Sequence, residues 1–410
     1  MARPSFISNS EIPVQTPAYP KLPPATARAV AGQTAFGVNE IRLNGREWLI
    51  VLAIVLAFAF LSPVVWKQIE TFVPGQDYRL PYALSSDYWL YQRRLEKLDA
   101  QQIPILGDSV VWGEYVRGDG TLSHFLNRET GAERFANCGV NGLFPLALEG
   151  LIKDYSASLR RRKVIVQCNL LWLSSPKADL STEKEEVFNH ARLVPQFSIR
   201  IPCYRANASM RISAILERRI GFFAWITHLQ TACYNQRSLA QWTLQDDGNE
   251  PPNYPNAWRN PLAPLRAPLP SEPAVDPLRG PASPRHKPWN ADGATPAHFD
   301  WVALDASLQW GAFQRTTRLL RARGDDVLIV LGPFNEHMIA EDQLTEYRAL
   351  RDRAAASLRQ EGAHVIIPEA LPTDLYADAS HPLTSGYGLL AARLAKDPAF
   401  NRWISADGRQ

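Results

Sequence analysis

Residues 103–113 read IPILGDSVVWG, an apolar run that closes on Gly107-Asp108-Ser109 and resumes as a second apolar run. A short hydrophobic stretch ended by glycine and a polar pair, then continued by new hydrophobics, reads as a buried strand turning into a helix. Outward from it the pattern repeats. Residues 121–130 are helix-like, 134–140 (RFANCGV) strand-like, 145–161 an amphipathic helix and 164–173 (VIVQCNLLWL) a long β-rich run. Farther on, 301–323 reads as helix, 326–331 (DVLIVL) as strand, 341–360 as helix, 364–368 (HVIIP) as strand and 385–395 as a closing helix. Short apolar strands alternating with helices predict a parallel sheet covered on both faces. The expected fold class is α/β, a flavodoxin-like three-layer α/β/α sandwich around a mostly parallel five-stranded sheet. Ligands in such folds gather at the C-terminal ends of the strands, so the residues after each strand matter most.

Composition agrees with a packed chain. Of 410 residues, 46% are hydrophobic and 21% charged, enough to bury a sizeable core. Lys and Arg number 44 against 41 Asp and Glu, a net charge of +3 without the basic bias of a nucleic-acid binder, so no nucleic-acid partner is expected. The four cysteines form no CxxC and no Cys/His pair at ligand spacing, so no metal site is expected. Cys138 and Cys168, on strands taken as neighbours, read as buried thiols. Cys203 and Cys233 could pair in an oxidising compartment, which the sequence leaves open.

Residues 48–66, WLIVLAIVLAFAFLSPVVW, run nineteen positions without a charge between two tryptophans. About 20 apolar residues at 1.5 Å each cross a bilayer, and tryptophans mark its interfaces. Arg3, Lys21, Arg28, Arg42 and Arg46 precede the run, whereas only Lys67 and Arg79 follow it closely. Positive-inside reasoning therefore predicts a single-pass membrane protein, N-terminus cytoplasmic and the bulk of the chain extracytoplasmic. The 47 residues ahead of the run favour an uncleaved signal anchor over a signal peptide.

The organisation expected is a disordered cytoplasmic tail over 1–45, a transmembrane helix over 46–66 and a connector over 67–100. A first part of the α/β domain follows over 101–176, an insertion over 177–300 and the second part over 301–410. Within the insertion, residues 250–290 hold twelve prolines and read as an extended arm of no derivable function.

At the predicted strand ends stand Gly107-Asp108-Ser109, then Asn137 and Gly142, then Asn169, then Asp378 and His381. Alone, Gly-Asp-Ser also fits a plain turn with Ser109 as helix N-cap. Together and in this order the blocks resemble the SGNH hydrolase superfamily, the GDSL-type esterases. The GDS block is Gly107-Asp108-Ser109, the N-x-x-x-x-G block runs from Asn137 to Gly142, and the D-x-x-H block is Asp378 and His381. The third block departs from the family's G-x-N-D, reading Gln167-Cys168-Asn169-Leu170. The resemblance covers roughly 100–175 and 301–396. It implies a nucleophile Ser109, a base His381 oriented by Asp378, and an oxyanion hole from Ser109, Gly142 and Asn169, with no cofactor.

Trp112, Asn335 and His337 are candidates for lining the substrate site, Trp172 has a similar claim, and Asp108 reads as a turn stabiliser. The activity implied is cleavage of an oxygen ester through an acyl-enzyme, on an acylated carbohydrate or lipid; O-acetyl groups of envelope or secreted polysaccharide are common substrates of similar exported domains. Two other readings stay open. One is an O-acyltransferase that passes the acyl group to a sugar hydroxyl, beside a multi-span acyltransferase partner. The other is a non-catalytic envelope binding module with the same fold.

Overall fold

The computed structural model describes residues 43–70, 72–234 and 287–406. The proline-rich arm (save its last residues) and nearly all of the N-terminal tail lie outside the described residues. The chain divides into two compact units, 1–55 and 56–410, with the division falling inside the first helix, α1 (Gly45–Ile69).

In the first unit, α1 starts with a capping box. The Glu47 N–H donates to Asn44 Oδ1 at 2.9 Å and the Asn44 N–H to Glu47 Oε2 at 2.8 Å. The helix is 25 residues long, has a mean hydropathy of 2.7 over its most apolar stretch, and is long and apolar enough to cross a membrane. It starts one residue before the expected 46 and continues three past 66, through Pro63 and to Ile69.

The second unit holds the sheet. Its helices are α2 (Tyr88–Glu96), α3 (Ser109–Trp112), α4 (Leu122–Thr130), α5 (Pro145–Tyr155), α6 (Ala208–Arg219), α7 (Gly221–His228), α8 (Leu308–Ala322), α9 (Leu344–Gln360), α10 (Thr384–Lys396) and α11 (Pro398–Ser405). Its strands are β1 (Ile103–Gly107), β2 (Phe135–Gly139), β3 (Lys163–Cys168), β4 (Asp326–Leu331) and β5 (His364–Ile366). They pair in the order β2-β1-β3-β4-β5, and every pairing is parallel. Successive side chains of a strand face opposite sides, and here both sides are apolar. Leu106, Val164, Val166 and Ile329 belong to one core with α2, α5, α8 and α9, while Ile105, Ile165, Leu328 and Val330 belong to the other with α4, α10 and α11. This two-sided burial explains why the strands read as continuous apolar runs rather than alternating ones.

Three expectations are corrected. The β-rich run over 164–173 leaves the sheet at Cys168, because the Asn169 side chain accepts the Leu171 N–H at 3.0 Å and turns the chain into a 3₁₀ turn. The helix expected from 301 begins at Leu308, where the Ser307 hydroxyl caps the Trp310 N–H. Cys138 and Cys168 are buried thiols, but β1 lies between their strands.

The connector and the first half of the insertion prove to be core elements. Tyr88, Trp89, Tyr91 and Leu95 of α2, and Leu180, Leu193, Val194, Ile201 and Cys203 of the insertion, share the core on the α5 face. Cys203 is wholly buried, its Sγ donating to the Leu180 carbonyl at 3.5 Å, and both Cys203 and Cys233 are free thiols.

Candidate active site

The site grows from the turn that ends β1. Asp108, not Ser109, caps α3: its Oδ1 accepts the Val110 N–H at 2.8 Å. Ser109 therefore keeps its hydroxyl for other partners. The short helix is held from several sides. Its C-terminal carbonyls, Trp112 O and Gly113 O, accept from the buried Arg79 guanidinium at 2.9 and 2.6 Å, and Tyr387 of α10 donates to Val110 O at 2.6 Å. Asn137 on β2 donates to Val111 O at 2.8 Å. At Gly139 the β2 backbone approaches α3 so closely that a Cβ would overlap the Trp112 amide nitrogen.

Ser109 Oγ lies 2.8 Å from His381 Nε2. His381 Nδ1 lies 2.8 Å from both oxygens of Asp378. An ionised carboxylate only accepts, so Nδ1 carries the proton and the Nε2 lone pair faces the serine hydroxyl. Asp378 is itself held. Its Oδ1 accepts the Ser380 and His381 N–H groups, each at 2.9 Å, and its Oδ2 accepts the Tyr115 hydroxyl at 3.0 Å. Tyr115 also sets its ring edge-on to His381, with centroids 5.2 Å apart.

Charge follows from this arrangement. Burial alone would raise Asp378, but the His381 charge and the donated hydrogen bonds outweigh it and hold the carboxyl down at about 2. Burial alone would lower His381. Asp378 beside it, with Asp108 and Glu114 farther off, overcomes that and raises the imidazole above its ordinary value.

Asn169 follows β3, across the β1/β3 switch point from Ser109. Its amide donates to Asp108 Oδ2 at 2.8 Å, and Trp172 Nε1 donates to the same oxygen at 2.9 Å. A carboxamide has two N–H donors, so one is committed to the turn beside the serine. Gly142, in the loop after β2, has φ +71°, and a Cβ there would stand 2.5 Å from Asn189 Nδ2. Glycine is thus required on both backbone and steric grounds.

A crevice of about 10 Å³, room for no more than one water, lies between Phe144, Leu148, Trp172 and Phe313, with Asp108 and Asn169 at its polar end. Trp172, bonded to Asp108 beside Ser109, stands next to the candidate site. Trp112 does not line it: it is buried, its Nε1 donates to Leu80 O at 2.6 Å, and Arg79 stacks on its ring. Asn335 is also placed otherwise than expected, whereas His337 is exposed after β4. Asn335 is fully buried and holds the Asp378 loop, its Nδ2 donating to Asp378 O at 3.1 Å and its N–H to Ala379 O at 2.8 Å. His337 Nε2 lies 3.1 Å from Leu371 O. Tyr115 was not among the expected residues, since a lone tyrosine six positions past the serine carries no spacing signal.

No group of three or more His, Cys, Asp or Glu placed to hold a metal ion occurs among the described residues. No protein-family model matches the chain, and no curated protein matches it.

Proposed function

We propose that this chain is a membrane-anchored serine hydrolase of the SGNH type, with its catalytic unit outside the cytoplasm and α1 as the anchor. The observation that carries the reading is the continuous relay from Ser109 Oγ through His381 to Asp378, with both links at 2.8 Å. His381 Nε2 takes the Ser109 proton as Oγ attacks an ester carbonyl carbon. The carbonyl oxygen becomes an oxyanion facing the Ser109 and Gly142 N–H groups and the second N–H of Asn169. The alcohol leaves with the proton from His381, giving an acyl-Ser109. Water then attacks the acyl carbon, His381 takes its proton, and the serine is released with a carboxylic acid.

The chemistry needs no cofactor. O-acetyl esters of envelope or secreted polysaccharide are the substrates the family likeness suggests. The test uses the full chain in detergent or vesicles, with a fluorophosphonate probe and p-nitrophenyl acetate. Labelling at Ser109 and ester turnover are expected, and both are lost in Ser109→Ala. Labelling without turnover would turn the reading to an acyltransferase. Neither, from folded protein, would sink the enzyme reading and leave the binding module.

A further inference from the structure

Helix α6 is built inside out. Its inward side carries charge: Glu217 is buried and accepts from Arg192 at 2.8 Å, and Arg218 lies 3.6 Å from the buried Asp154. Arg211 turns back to the carbonyls of Gln196, Tyr204 and Ala206. Its outward side carries an apolar stripe beside the exposed Ser209, Ser213 and Arg219. Ile212, Leu216 and Ile220 follow one another at helical spacing, and Phe223 of α7 extends the stripe with Met210 beside it; these five are 37% to 58% exposed. A helix at a protein–water surface shows the reverse pattern.

The stripe reaches α1 through aromatic contacts, since Phe223 packs against Phe222 with centroids 5.8 Å apart. Three contacts in register bind α7 to that helix: Phe222 against Phe58 with centroids 5.9 Å apart, Trp225 against Trp66 at 5.7 Å, and His228 Nε2 2.6 Å from Glu70 Oε1. Phe58 precedes Trp66 by eight residues, about 12 Å along a helix axis. With α1 crossing the bilayer, Phe58 lies among the acyl chains, and Phe222 against it, with its neighbours Ile220 and Phe223, stands at the same depth. Arg219, which is mostly exposed, ends α6 and lies 3.5 Å from Asp154.

We infer that α6 and the start of α7 form a second membrane contact, an interfacial element whose Met210–Phe223 face lies in the lipid bilayer that α1 crosses. The occupant is lipid rather than a second copy because the stripe meets, through Phe223, Phe222 and Phe58, the helix whose Phe60, Leu61 and Val64 are exposed and apolar as a membrane span requires. The inference rests on the anchor reading of α1 and is independent of the catalytic one. It makes the attachment two-point, so that the catalytic unit is held at a fixed height and tilt.

The experiment places nitroxide labels on the full chain in vesicles of phosphatidylcholine and phosphatidylglycerol, one each at Ile212→Cys, Phe223→Cys, Phe60→Cys and Arg353→Cys. The labelled wild-type chain gives the background of its native thiols. All four positions face outward, so the folded core is left intact, and Arg353 lies on α9, which exposes no large hydrophobic side chain. Collision rates with oxygen, which partitions into lipid, and with a water-soluble nickel chelate are compared. The oxygen-to-nickel ratio at Ile212 and Phe223 is expected to match that at Phe60 and to exceed that at Arg353 several-fold. Water-like ratios at Ile212 and Phe223 beside a lipid-like Phe60 would overturn the inference and leave the anchor standing. A water-like Phe60 would overturn both. Low collision with both reagents, with dipolar broadening, would mean that a second copy covers the face instead.

Discussion

Tyr115 donates to the one oxygen of Asp378 that no backbone group caps. A hydrogen bond to a charged group contributes about 1.5–3 kcal/mol, and this one favours the ionised carboxylate. In Tyr115→Phe the carboxylate becomes more basic, and His381, already raised by Asp378, rises further. Only neutral imidazole can take the serine proton, so reactivity is absent in acid and develops as pH climbs through the His381 value. Fluorophosphonate labelling of the wild type should therefore show an acid limb above the ordinary histidine value of about 6.5. Tyr115→Phe should move that limb to higher pH and slow labelling several-fold at neutrality, with the alkaline plateau less affected. An unmoved limb would leave Tyr115 a packing residue. Asn169→Ala removes the proposed oxyanion donor and one of the two donors on Asp108 Oδ2. It should cut ester turnover by about 10²–10³; a silent Asn169→Ala would take that residue out of the oxyanion hole.

The elements were legible where burial on both faces wrote a plain signal, and illegible where a single side chain overrode it. β4 appears at the bounds its apolar run predicts, because both faces of the sheet are covered. β3 is overextended in the sequence reading because NLLWL is as apolar as VIVQC, and only the Asn169 side chain ends the strand. The serine, histidine and aspartate could be read from motif order, since strand ends converge on one edge of a parallel sheet. The burial of Trp112 and Asn335 could not, because a motif does not tell which way a nearby side chain points. Gly142 belongs to this scale too, as the loop after β2 turns on its positive φ. Gly142→Ala should cost about 1–2 kcal/mol from the left-handed backbone alone, and it must also displace Asn189. Thermal unfolding should report the loss of stability, and ester turnover should fall by more than the folded fraction does. Equal falls would mean that the loop shape matters to folding only.

At the scale of the whole catalytic unit, one buried ion cluster ties the end of α1 to α2 and to the insertion. His228, with no exposed surface, stands between Glu70, 2.6 Å away, and Asp87, 2.7 Å away, and Asp87 also caps α2 through the Leu90 N–H. Arg93 lies 3.6 Å from Glu70, and Trp89 stacks on the imidazole. Burial opposes the charge on His228, but the two carboxylates overcome it and raise the group to about 9. A histidine raised on folding stabilises fully below its unfolded value near 6.5, and the contribution disappears as pH rises through 9. The loss should reach about 3 kcal/mol. His381 pulls the same way, so the comparison that isolates the cluster is between the wild type and His228→Gln. The full chain in detergent should unfold at a steadily lower temperature from pH 6.5 to 9, and His228→Gln should be destabilised at pH 6.5 and much flatter across that window. Parallel curves would mean that the cluster is held neutral and contributes no pH dependence. The two histidines thus make opposite demands: the proposed proton abstraction at Ser109 requires a neutral His381, whereas the tie between the end of α1, α2 and the insertion is strongest with a charged His228. The acid fall of activity should therefore leave the protein folded, whereas toward pH 9 any fall of activity should come with the weakening of this tie.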